Sequence, residues 1–238
     1  MKKAFLFAAL ISGVIIIMGF VINEQSNSIP SVSLKQPSGN NPLQQDATIK
    51  YTIRVEDKED GSSAYEEIVS NEVFLKLKFL PDSAMVSKYL EKQKRADAIL
   101  AIMKQDICFN CHSVKQKLIG PSFESVAKKY GAGKDVAEKL SASIINGSKG
   151  TWGASQPMPS HPDIKKEDAV AIAEWVLQYG ADEDFDLLPG LEGSFKTHSG
   201  NVKQPKAVYV LIPSYRDHGL NGLDRKEGKQ VVVIPLAH

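Results

Sequence analysis

The chain has 238 residues, of which 42% are hydrophobic and 24% charged, with a formal net charge of +1. This is the composition of one or two ordinary folded units; it excludes collagen, a fully disordered chain and a multi-span transporter. The near-neutral balance leaves no basic footprint for nucleic acid, and two cysteines cannot build a disulfide scaffold.

In chain order, Met1-Lys2-Lys3 precedes an apolar run from Ala4 to Ile22 that is broken only by Ser12, Gly13 and Gly19. Its length approaches the ~20 residues a bilayer-spanning helix needs. The exit, Val21-Ile22-Asn23-Glu24-Gln25, has no small-x-small cleavage site. Residues 1–23 therefore read as a signal anchor or transmembrane helix, with a cleaved signal and a soluble periplasmic protein as the alternative. Either way Lys2 and Lys3 stay cytoplasmic and the rest is exported. Residues 24–45, rich in Ser, Asn, Gln and Pro without an apolar period, read as a flexible linker.

Residues 46–91 read as a β-rich segment: Ile49, Tyr51, Ile53 and Val55 alternate with polar residues, then Asp57-Lys58-Glu59-Asp60-Gly61 forms a charged turn. A second strand follows with Val73, Leu75, Leu77 and Phe79. Residues 92–181 are helical. Ala96, Ile99, Leu100 and Met103 share one helix face, Val136, Leu140, Ile144 and Ile145 a second, and Ala169, Ile172, Ala173 and Val176 a third. Residues 182–238 return to β, with Ala207–Ile212 and Gln230–Ile234. Neither β piece has enough strands to stand alone. Either the two complete one sandwich with the helical block inserted, or two small β units flank it.

The informative motif is Cys108-Phe109-Asn110-Cys111-His112, the C-x-x-C-H attachment signature of c-type haem. Two thiols on one helical turn can add to the two vinyl groups of one porphyrin, and the adjacent imidazole can bind its iron. The rivals are a thioredoxin-like redox pair, half a zinc site and a chance disulfide. A redox pair expects a βαβ context, whereas a helix precedes this motif; a structural zinc site wants further ligands at short spacing, and no further cysteine exists. Downstream of the motif the one methionine is Met158, stiffened by Pro157 and Pro159. It is the candidate second axial ligand, with His161 as rival. A thioether facing an imidazole raises the reduction potential and favours electron transfer.

Residues 95–180 resemble the short bacterial class I cytochromes c of the c-551/552 type. The likeness rests on Cys108–His112, Ile119-Gly120-Pro121-Ser122-Phe123, Val126–Tyr130, Asn146–Gly153, Pro157-Met158-Pro159 and Ala173-Glu174-Trp175-Val176-Leu177. The resemblance implies a mainly α, haem-centred domain with one covalent haem c and its iron. It implies that the Pro121 carbonyl accepts a hydrogen bond from His112, that Trp152 donates to a haem propionate, and that Met158 is the sixth ligand. Ser143 stands where the family often has an arginine, and Lys165 where it has a Ser-like helix cap. The flanks resemble Ig/PKD-like β segments, through Val55–Gly61, Val208–Leu211 and Ser214–Asp217.

The expected protein is thus a membrane-anchored, periplasm-facing one-electron carrier with His/Met ligation and no catalytic residues of its own. Its partners would be redox donors and acceptors, whether dehydrogenase, oxidase or reductase. The alternative is an electron-accepting subunit associated with a periplasmic dehydrogenase. Lys115, Lys117, Lys128, Lys129 and Lys149 are candidates for steering an acidic partner.

Overall fold

The structure is a computed structural model that describes residues 26–39, 41–153, 157–198, 205–222 and 224–237. The anchor expected at residues 1–23 lies outside these, and among the described residues no helix is long and apolar enough to cross a membrane.

Among the described residues, nine strands form two antiparallel sheets. The four-stranded sheet holds β1 (Ser31–Gln36), β2 (Thr48–Asp57), β3 (Gly61–Ser62) and β6 (Glu192–Lys196); β2 pairs with all three others. The five-stranded sheet holds β4 (Val73–Leu80), β5 (Phe185–Pro189), β7 (Val208–Arg216), β8 (Glu227–Lys229) and β9 (Val232–Pro235). Among the described residues, four α-helices lie between β4 and β5 in sequence: α1 (Val86–Gln105), α2 (Phe123–Tyr130), α3 (Lys134–Asn146) and α4 (Lys166–Gly180).

The pairing of β4 answers how the β pieces relate. It bonds β5 on one side and β7 on the other, with Leu75 opposite both Leu188 and Pro213. Strands from before and after the helical block therefore share one sheet, and β6 joins β2 in the other. Period-2 alternation divides β4 between two cores. Val73, Leu75, Leu77 and Phe79 enter the cluster between the sheets with Tyr51, Ile53, Val55, Tyr209 and Leu211. The alternate residues face the helices: Phe74 joins the helical core, Lys76 pairs with Asp97 of α1, and Leu80 packs with Val86, Tyr89 and Leu90. A strand covered on both faces is close to continuously buried, and seven of the eight residues of β4 are.

Two sequence expectations are corrected. Residues 24–45 are not merely a linker: β1 pairs with β2, Val32 is buried in the core between the sheets, and the Leu43 N–H donates to the Pro235 carbonyl at 2.8 Å. The physical cause is Val32-x-Leu34, a short alternation that a polar composition masks. Second, α1 starts at Val86, ahead of the boundary expected at residue 92. Its first turns bury Val86, Tyr89 and Leu90 on β4 and β7, whereas its last turns bury Leu100 and Met103 in the helical core. The apolar face shifts along the helix, so one period does not run its whole length.

Candidate functional site: an apolar cleft

At the end of α1 the chain turns through Ile107, a β-branched residue at φ 53°, which is an uncommon and strained conformation. That turn directs Cys108–Asn110 into a single 3-10 turn, with the Cys111 and His112 N–H groups both donating to the Cys108 carbonyl at 3.2 and 3.0 Å. The two thiols and His112 thus project from one turn of backbone. Both cysteines are unpaired and half-buried, and burial pushes the Cys108 thiol up to about 11.

His112 is oriented by its neighbours. Its Nδ1 lies 2.7 Å from the Pro121 carbonyl. A carbonyl can only accept, so Nδ1 carries the hydrogen and Nε2 keeps its lone pair. Burial holds the imidazole below its ordinary pKa, which favours the neutral, ligating form. Phe123 stacks on the ring at 5.5 Å. On the remaining side is Gly120, where an added Cβ would collide with the His112 ring, 2.8 Å from Nδ1 and in closer contact still with Cε1.

Met158 is fixed by a two-residue bridge. Its N–H donates to the Ser148 carbonyl at 2.8 Å, and the Ser148 N–H donates back at 3.1 Å. Gly147, at φ +78°, ends α3 just before this bridge; a Cβ there would meet the Met158 carbonyl at 2.8 Å. His161 is tied down in turn, its N–H shared between the Ile144 and Ile145 carbonyls at 3.1 Å.

Cys108, Cys111, His112, Pro121, Trp152 and Met158, all singled out in the sequence, line one cleft. Its wall is apolar, with Met103 from α1, Val126 from α2, Ile144 from α3 and Ile172 and Val176 from α4. The Lys129 ammonium lies 4.2 Å from the centroid of the Trp152 ring. Ser143 and His161 also line the cleft. Ile119 and Tyr130, from stretches that carry the resemblance, also line it, as does Ile107, which the sequence did not single out; the unusual φ of Ile107 has no glycine or asparagine to announce it. Lys165, the expected weak cap of α4, caps it with no side-chain hydrogen bond.

The donor set fits a porphyrin: two thiols on one turn, an imidazole with a free Nε2, a thioether, and an apolar slot reached by all four. Among the described residues, no group of three or more His, Cys, Asp or Glu side chains is placed to hold a bare metal ion.

These features define a helical unit of the c-type haem class. Comparison with known proteins specifies it further. The family model for cytochrome c matches residues 96–180. Cytochrome c-551 of Pseudomonas denitrificans is 44% identical over 77 residues, covering 32% of this chain and 90% of that protein. Cytochrome c-552 of Nitrosomonas europaea is 37% identical over 99 residues, 42% of this chain and 89% of the relative. The crystal structure of wild-type Nitrosomonas europaea cytochrome c552 aligns with 34% of this chain and 98% of its own at 36% identity, with a TM-score of 0.32. On the sequence identities, the chain belongs to the cytochrome c family through this segment; it is a c-type cytochrome with covalent haem c and functions in electron transfer.

Proposed function

We propose that the chain is a mono-haem electron carrier, not a catalyst, with its haem c attached to Cys108 and Cys111 and its iron ligated by His112 and Met158. The bound haem supplies a one-electron couple between ferric and ferrous iron. The protein's part is to hold both ligands still, because small changes in ligation between the two states keep electron transfer fast. Pro121 fixes the His112 ring and strengthens its donation; the Ser148 bridge fixes Met158. The apolar wall excludes water and, with the thioether, favours the reduced state. Trp152 is positioned to donate to a propionate.

Residues 1–23 serve as an anchor, and the remainder faces the periplasm. The helical block that begins with α1 at Val86 is the cytochrome unit, set between two β-rich segments, the first of which includes β1, that complete one sandwich. Lys117, Lys128 and Lys149 steer an acidic redox protein, either donor or acceptor, to the cleft. The observation that carries this proposal is the convergence of the C-x-x-C-H turn and the pinned Met158 on one apolar cleft. The test is an optical spectrum of the purified protein, oxidised and reduced, with a potentiometric titration. A low-spin c-type spectrum with a sulfur-to-iron charge-transfer band and a one-electron Nernst curve is expected; reduced protein that binds carbon monoxide readily at neutral pH would refute the Met158 ligation.

A further inference from the structure

The flanking sheet brings charge as well as apolar surface to the back of the C-x-x-C-H turn. Lys104, in the last turn of α1, has a side chain only 8% exposed. Its ammonium donates to Ser214 Oγ on β7 at 3.0 Å and to Glu227 Oε1 on β8 at 3.3 Å, and it lies 4.7 Å from the centroid of Phe74 on β4. Phe74 in turn meets Phe109, the residue after Cys108, at 5.3 Å. Two turns back along α1, Asp97 pairs with Lys76 of β4, whose side chain is 7% exposed, and with Lys229 of β8 at 2.7 Å. In the layer between α1 and the sheet Lys104 and Lys76 thus face Glu227 and Asp97, with Lys229, 46% exposed, reaching Asp97 from the rim.

Burying charge here is expensive, and a helix packed on a sheet does not require it; apolar residues of similar volume are often as stable or more so. A fixed charge in a weakly screened layer has a different consequence. Reduction of the haem adds one electron, so a fixed positive charge nearby favours the reduced form.

We infer that Lys104 and Glu227 are positioning residues that set the reduction potential of the haem through the field of this cluster, the Lys104 charge raising it and the Glu227 charge lowering it. The inference rests on the cleft holding haem c. It assigns the flanking sheet a part in electron transfer, since Lys76, Ser214, Glu227 and Lys229 all lie outside the segment shared with the c-551/552 relatives.

The test is the midpoint potential of the haem-loaded full chain at constant ionic strength for wild type, Lys104→Met, Glu227→Gln and the double variant. Lys104→Met leaves Glu227 unbalanced and lowers the potential; Glu227→Gln leaves Lys104 unbalanced and raises it. Each single variant changes the reduced-to-oxidised ratio at fixed ambient potential by about three- to tenfold, given an effective dielectric near 20, and the double variant returns toward wild type. A general loosening of the fold would shift both single variants in the same direction, so like-signed shifts, or shifts below about twofold at that dielectric, overturn the inference. Should Lys104→Met not accumulate, Glu227→Gln decides by its sign alone, with circular dichroism and the sulfur-to-iron band confirming an intact site. Protein with no haem absorption at all would sink the proposed function together with this inference; haem-loaded protein without opposed shifts would sink only the latter.

Discussion

Phe74, on a strand of the flanking sheet, meets Phe109, inside the C-x-x-C-H motif, edge to face with ring centroids 5.3 Å apart. Phe109 continues to Phe123 at 5.9 Å, and Phe123 stacks on His112. On the same side of the sheet, Phe185 of β5 packs on Trp175 and Tyr179 of α4. The core beside the cleft is therefore built partly from residues outside the cytochrome segment, and sheet and helices share one buried aromatic row.

Phe74→Ala removes the ring at the sheet end of the Phe74–Phe109–Phe123 row. Truncating a buried phenylalanine costs about 3–5 kcal/mol, a large part of a typical domain's stability. Thermal unfolding followed at once by β-sheet circular dichroism and by haem absorbance is expected to show one coincident transition, shifted down in the variant. Separate transitions for sheet and haem would show that the two parts are not coupled.

Gly120→Ala places a methyl group in the space of the His112 ring. The ring must move, and its 2.7 Å bond to Pro121 is lost. The expected result is a weakened His112 donation, visible as a changed Soret band and a shifted midpoint potential, with the helical circular dichroism retained. An unchanged spectrum and potential would remove Gly120 from the account.

Met158→Ala and His161→Ala separate the two candidate ligands. Met158→Ala is expected to abolish the sulfur-to-iron band, lower the potential and open the reduced protein to carbon monoxide. His161→Ala is expected to keep the band, because the backbone N–H of residue 161, not its imidazole, makes the contact with Ile144 and Ile145. The reverse pattern would transfer the ligand role to His161.

His218 supplies a pH dependence away from the cleft. Burial pulls its pKa down, but Glu72 and Asp60 beside it more than reverse this, leaving it above the ordinary 6.5. The folded state thus binds the proton more tightly than the unfolded chain. The contribution is complete below the unfolded value and is lost as pH rises through the folded one. With the side chain 46% exposed, solvent screening keeps the effect under about 1 kcal/mol. Urea midpoints of wild type minus His218→Gln should fall as pH rises above the ordinary 6.5; a difference that is flat or rises there would contradict the assignment.

The site was legible in the sequence to the extent that it is local. Cys108, Cys111 and His112 fall on one turn, and Met158 is set by its own prolines. The helices of the haem side were legible through their apolar period. What could not be read was made by distant pairing. Phe74 alternates out of a strand whose other row, Val73, Leu75, Leu77 and Phe79, is the stronger signal, so its place beside Phe109 depends on β4 lying between β5 and β7. The same holds for Lys76 and Lys78, which read as the polar row of a half-exposed strand but are covered by α1 and by Asp182 after α4. Strands β5, β6 and β8 are short and mixed in composition, and they exist because a neighbouring strand offers them a ladder.

The central claim, a haem held covalently by Cys108 and Cys111 in this cleft, is tested most directly by mass spectrometry of a proteolytic peptide that spans Cys108–His112, taken from protein made with haem-attachment machinery. The peptide should carry one haem through both sulfurs, and Cys108→Ala plus Cys111→Ala should carry none and lose helical circular dichroism. A wild-type peptide with two free thiols, or with a disulfide and no haem, would contradict the account.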